Sequence, residues 1–77
     1  MTQDIIISLL SEIISVLEED LSSRTPLTPE YGIEAIDIAK LIIEIEKSFE
    51  VTVFDEDVHT FRTVGDVVEY VDFLTGE

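Results

Sequence analysis

Apolar residues recur at three- and four-residue steps through most of this chain. Over residues 3 to 20, Ile6, Leu9, Leu10, Ile13, Ile14 and Leu17, with Leu21 just beyond, fall on one stripe. That spacing predicts a first helix. Thr2 is placed to cap it, and Asp4 suits the positive end of the helix dipole. Ser8, Ser11, Glu12, Ser15, Glu18 and Glu19 fill the other side, so Ile5 and Ile7 look exposed without an evident role.

Residues 22 to 33 break the period. Ser22, Ser23, Pro26, Pro29 and Gly32 crowd together, which predicts a long ordered loop with Leu27 and Tyr31 pinning it to the core. The period resumes over 35 to 49. There Ile36, Ala39, Ile42 or Ile43, and Phe49 make a stripe that Leu41 and Ile45 widen, with Asp37, Lys40, Glu44 and Lys47 opposite. Many of these residues are β-branched, so this helix depends on tertiary packing more than on propensity.

Val51-Thr52-Val53 alternates like a strand, but it is short and has no partner, so it is expected to be an extended connector. Asp55-Glu56-Asp57 opens a short helix expected over 55 to 61. Thr63 and Asp66 have capping-box spacing and start a last helix. Val64, Val67, Val68, Val71 and Leu74 line it, and Gly76 is placed to end it. The expected fold is all-α: one domain over residues 1–77, a monomeric bundle of three to four helices around one core.

Composition narrows the function. The chain has 77 residues, 45% of them hydrophobic, and no cysteine, so packing alone must hold it together. Its 18 acidic and 4 basic residues give a net charge of -14. Such a body repels nucleic-acid phosphates and anionic lipid, and attracts basic protein surfaces. No apolar stretch approaches the roughly 20 residues of a membrane span, and the first residues carry no secretory pattern. The expected location is the cytoplasm, with no nucleic-acid partner and no membrane insertion.

Catalytic chemistry lacks its parts. There is a single histidine, His59, on a charged turn, and no glycine elbow surrounds any serine. An EF-hand loop counted from Asp55 would need glycine at its sixth position and glutamate at its twelfth, where this chain has Thr60 and Asp66. No metal site and no catalytic residue are expected.

The informative segment is Tyr31-Gly32-Ile33-Glu34-Ala35-Ile36-Asp37, where a loop delivers the chain to a helix start. Backbone N–H groups and the dipole favour a phosphate there. A serine at position 35 would be placed to carry a phosphodiester, but the residue is alanine.

Here the chain resembles the acyl carrier proteins. The resemblance rests on Gly32, Glu34-Ala35-Ile36-Asp37, Ile45-Glu46-Lys47-Ser48-Phe49, Asp55-Glu56-Asp57, and Thr63-Val64-Gly65-Asp66 with Tyr70-Val71. It runs without a gap from about Leu27 to Val71, and helix one agrees only in character. It implies a carrier of acyl intermediates, held as thioesters on a 4'-phosphopantetheine arm, for enzymes of fatty-acid, polyketide or related biosynthesis. It implies Ala35 as the attachment position, framed by Gly32, Glu34, Ile36 and Asp37. The implied partners are a phosphopantetheinyl transferase and acyl-processing enzymes, docked on the second helix through Glu34, Asp37, Lys40, Glu44 and Lys47. It implies an apolar cleft between the second and last helices, for which Leu27, Ala39, Ile43, Ile45, Phe49, Val53, Val58, Phe61, Val67 and Val71 are the candidates.

Three departures from the family pattern matter. Ala35 has no hydroxyl, and Ser22, Ser23 and Ser48 do not match the motif, so no arm is expected on this chain. Glu34 stands where aspartate is usual. Lys40 and Lys47 stand on a helix face that is usually acidic, which points to a partner of mixed charge. Two explanations of Ala35 stand: replacement of an original serine, or a natural acidic adaptor that docks partners without any acyl-carrying role. Restoring one residue gives Glu-Ser-Ile-Asp, an ordinary attachment motif, which favours replacement.

Overall fold

A computed structural model describes residues 1–76. Four α-helices account for most of it: α1 (Thr2–Ile14), α2 (Ala35–Phe49), α3 (Asp55–Val58) and α4 (Val64–Thr75). Single 3-10 turns stand at Glu18–Asp20 and Pro29–Tyr31. The all-α expectation holds, and Val51 to Val53 connects α2 to α3 outside any helix or strand.

α1 is the central helix, packing against both α2 and α4. Two neighbours demand a wide apolar face, and this explains Ile7, which is buried rather than exposed, while Ile5 is left outside. The cap also differs from expectation: Thr2 lies buried inside the first turn, and Met1 holds the cap position.

α1 is shorter than its pattern suggested. It stops at Ile14, because Ser15 turns left-handed at φ 56° and its N–H returns to the Ser11 carbonyl. Continuation to Asp20 would have set Glu18, Glu19 and Asp20 at the negative end of a helix dipole, with no basic residue to offset them. They form the first 3-10 turn instead, Leu17 is exposed, and Leu21 turns back into the core.

Leu27 and the fully buried Ile33 anchor the following loop. Tyr31 is exposed, and it fastens the loop by donating from its hydroxyl to the Asp20 carbonyl at 3.1 Å, not by entering the core. The loop also pairs with the entry to α4. Leu27 N–H donates to the Arg62 carbonyl at 2.9 Å, Val64 N–H to Thr25 at 3.0 Å, and Gly65 N–H to Ser23 at 2.8 Å.

α4 starts as its sequence predicts. The Asp66 carboxylate accepts from Thr63 N–H at 3.1 Å and Thr63 Oγ1 accepts from Asp66 N–H at 3.3 Å. α3 ends at Val58 and does not reach residue 61. Three-residue turns close behind it, Thr60 N–H to Asp57 and Phe61 N–H to Val58, and swing the Phe61 ring into the core.

A groove beside the start of the second helix

α2 begins where the sequence says it should, and three local features fix its start. Gly32 takes φ +87°, a left-handed turn that a side chain would strain. Ile33, next in the chain, is fully buried and locks the loop down. The Asp37 carboxylate then reaches back to accept from Glu34 N–H at 2.9 Å. Glu34 and Ala35 are therefore held exposed at the positive end of a helix of about four turns.

Ala35 also heads a groove. One wall is the row Ala35, Ile38, Ala39, Ile42, Ile43 and Glu46 on α2, and the other is Val53, Asp55, Val58, His59 and Phe61. It encloses about 690 Å³ and is mostly apolar below its charged rim. The two walls are tied, since Val53 N–H donates to Glu46 Oε2 at 2.9 Å. The second wall is fastened to α4. Tyr70 donates to Asp57 Oδ2 at 2.6 Å, and its ring meets Phe61 edge-on with centroids 5.1 Å apart. Partial burial, and then this hydrogen bond, push the Tyr70 phenol above its ordinary pKa.

The groove lies between α2 and the 53–61 segment; α4 does not line it, contrary to the expected place between the second and last helices. Of the ten residues considered for an apolar cleft, Ala39, Ile43, Val53, Val58 and Phe61 face it. Leu27, Ile45, Val67 and Val71 are buried in the core, and Phe49 packs against the core. Ile38, Ile42 and Glu46 face the groove and were missed, although 35, 38, 42 and 46 repeat at helical spacing from the informative position. His59, a lone exposed side chain by sequence, stands at the rim with Asp55.

The stripe expected on α2 divides in two. Ile42, Leu41 and Ile45 are buried with Ile38 and Phe49 packed beside them, whereas Ile36, Ala39 and Ile43 are exposed. Lys40 and Lys47 are exposed and Glu44 and Asp37 half-buried. Lys47 Nζ stands 3.9 Å from Glu44 Oε2, a loose surface pair. Among the described residues no group of three or more His, Asp or Glu side chains is arranged to hold a metal ion, and no helix is long and apolar enough to cross a membrane.

Residues 4–71 match the family model described as the phosphopantetheine attachment site. The acyl carrier protein of Clostridium perfringens strain 13 is 35% identical over 63 residues, which are 82% of this chain and 83% of that protein. The acyl carrier protein of Thermotoga maritima is 32% identical over 69 residues, 90% of this chain and 85% of its own. A helical bundle with an exposed helix start at the head of an apolar groove, matched over nearly its whole length, belongs to the acyl carrier protein family, whose members carry acyl groups on a phosphopantetheine arm.

Proposed function

We propose that residue 35 is the attachment position of a cytoplasmic acyl carrier, that its alanine leaves this chain an unmodifiable apo form, and that α2 is the surface on which the transferase and acyl-processing enzymes dock. The observation that carries this reading is the setting of Ala35: exposed, on the first turn of α2, behind the Gly32 turn, and at the head of the groove. An arm fixed there would start at the positive end of the helix, which suits its phosphate. The apolar row that runs from Ala35 along α2 suits an acyl chain. The arm raises the effective concentration of its cargo at each docked enzyme, and the carrier itself supplies no chemistry.

The residues fit the group at every point but one. Attachment needs a hydroxyl oxygen to attack coenzyme A at its β-phosphate and displace the nucleotide portion. A methyl group offers no such oxygen. Incubation with coenzyme A and a broad-specificity phosphopantetheinyl transferase is expected to leave the intact mass unchanged, and Ala35→Ser is expected to gain the arm. A mass gain on the unaltered chain would show that another serine is used. Failure of both chains with several transferases would favour the second reading, an acidic adaptor that docks without an arm, which Ala35 itself motivates.

A further inference from the structure

α2 presents an outer row that the core does not explain and that meets the groove only at Ile43. Ile36 and Ile43 are 63% and 50% exposed, and Lys40 and Lys47 are exposed beside them. At 100° per residue, positions 36, 40, 43 and 47 fall within a wedge of about 60°, and at 1.5 Å per residue the row is about 16 Å long. The wedge lies opposite the buried Leu41 and Ile45. It holds two of the four basic residues of a chain whose net charge is -14. Lys40 has no ion-pair partner among the described residues, and Lys47 has only its loose contact with Glu44.

Exposed isoleucines alternating with cations contribute little to folding, since exposed charges and unburied apolar atoms stabilise weakly. An apolar strip with a positive rim instead complements an apolar seat with a negative rim. We propose that this row docks a partner enzyme whose surface carries an apolar seat flanked by carboxylates. The chain's overall charge would select the opposite, a basic surface. The inference rests on the docking role of α2 given above, and it specifies the chemistry of the partner.

The test uses acyl-processing enzymes purified singly, chosen so that the surfaces around their tunnel mouths range from acidic to basic. Affinity is measured by calorimetry at physiological salt, and the contact is mapped by amide shifts on the labelled chain. The expected result is binding about tenfold tighter or more to acidic-mouthed enzymes, with shifts at Ile36, Lys40, Ile43 and Lys47. Lys40→Glu with Lys47→Glu is expected to abolish that preference. Arg24→Glu with Arg62→Glu changes net charge equally at exposed positions off this row and is expected to leave the preference within about threefold. Shifts on α2 with preference for basic mouths would overturn the proposal alone. Shifts confined to another face, or no binding to any member of the series, would overturn the docking role of α2 as well. Self-association that the lysine variants dissolve would assign the row to a second copy of this chain and equally overturn the proposal.

Discussion

α2 carries isoleucine on opposite sides with opposite fates. Ile45 has no exposed surface and Ile43, two residues away, keeps half of its own. Hydrophobicity does not separate them, because the helix has apolar residues over most of its circumference. Angular position does. Ile38, Leu41, Ile42, Ile45 and Phe49 follow steps of three, one, three and four and converge on one face, which α1 covers. Ile36 and Ile43 lie on the far side, with Lys40 and Lys47. Position in the sequence places a residue on a face; what packs against that face decides whether it is structural or available to a partner.

The largest expected effect tests this division directly. Ile45→Ala leaves a cavity in the core, and a loss of about 2–5 kcal/mol in urea unfolding is expected. Ile43→Ala removes the same atoms from an exposed site and is expected to cost about 0.5 kcal/mol or less. Similar losses for the two would break the comparison. A loss confined to Ile45→Ala would leave the outer row free for a role outside folding.

Between the two faces lies the groove flank, whose opposite wall is held by Tyr70. Tyr70→Phe deletes one hydrogen bond and leaves the Asp57 carboxylate without that donor, so a loss of about 0.5–1.5 kcal/mol is expected. Amide exchange across residues 53–61 should quicken with it. The same contact gives an alkaline signature. The folded state raises the Tyr70 phenol, so it holds a proton that the unfolded chain releases, and stability falls as pH rises. The contribution is complete below the ordinary tyrosine value of about 10 and is lost as pH climbs beyond it. Unfolding curves at rising alkaline pH are expected to show the decline in the parent chain and a shallower one in Tyr70→Phe.

How far the sequence anticipates these features depends on whether the deciding interaction is local. α2 and the entry to α4 are read with little error, since Gly32, Asp37, Thr63 and Asp66 act within three residues of the boundary they set. The end of α1 is misread because the apolar period continues through Leu17 and Leu21 while the charges Glu18, Glu19 and Asp20 oppose a helix there. The position of the groove is not legible at all from periodicity. It depends on α3 folding back beside α2 through Val53 with Glu46 and Asp57 with Tyr70, contacts 7 and 13 residues apart in sequence. The proposed attachment position is the opposite case, for Ala35 stands out by its motif alone, and it lies exposed at the start of α2.

The smallest expected effect concerns the outer row and salt. A net charge of -14 on 77 residues is self-repulsive, and added salt screens it. The parent chain is therefore expected to melt higher in 0.5 M than in 0.02 M sodium chloride, where a gain of about 1 kcal/mol reads as roughly 4–8 °C. Lys40→Glu with Lys47→Glu adds four further negative units on one helix face. Two opposing contributions follow for that variant. The loose Lys47–Glu44 contact is lost, which matters little at such exposure. Repulsion with neighbours such as Glu44 increases, so the variant is expected to be slightly less stable at low salt, by about 0.5–1 kcal/mol, and to recover in high salt. If the deficit persisted unchanged in high salt, the lysines would be holding the fold by packing their stems on the helix, and the outer face would have to be counted as structural.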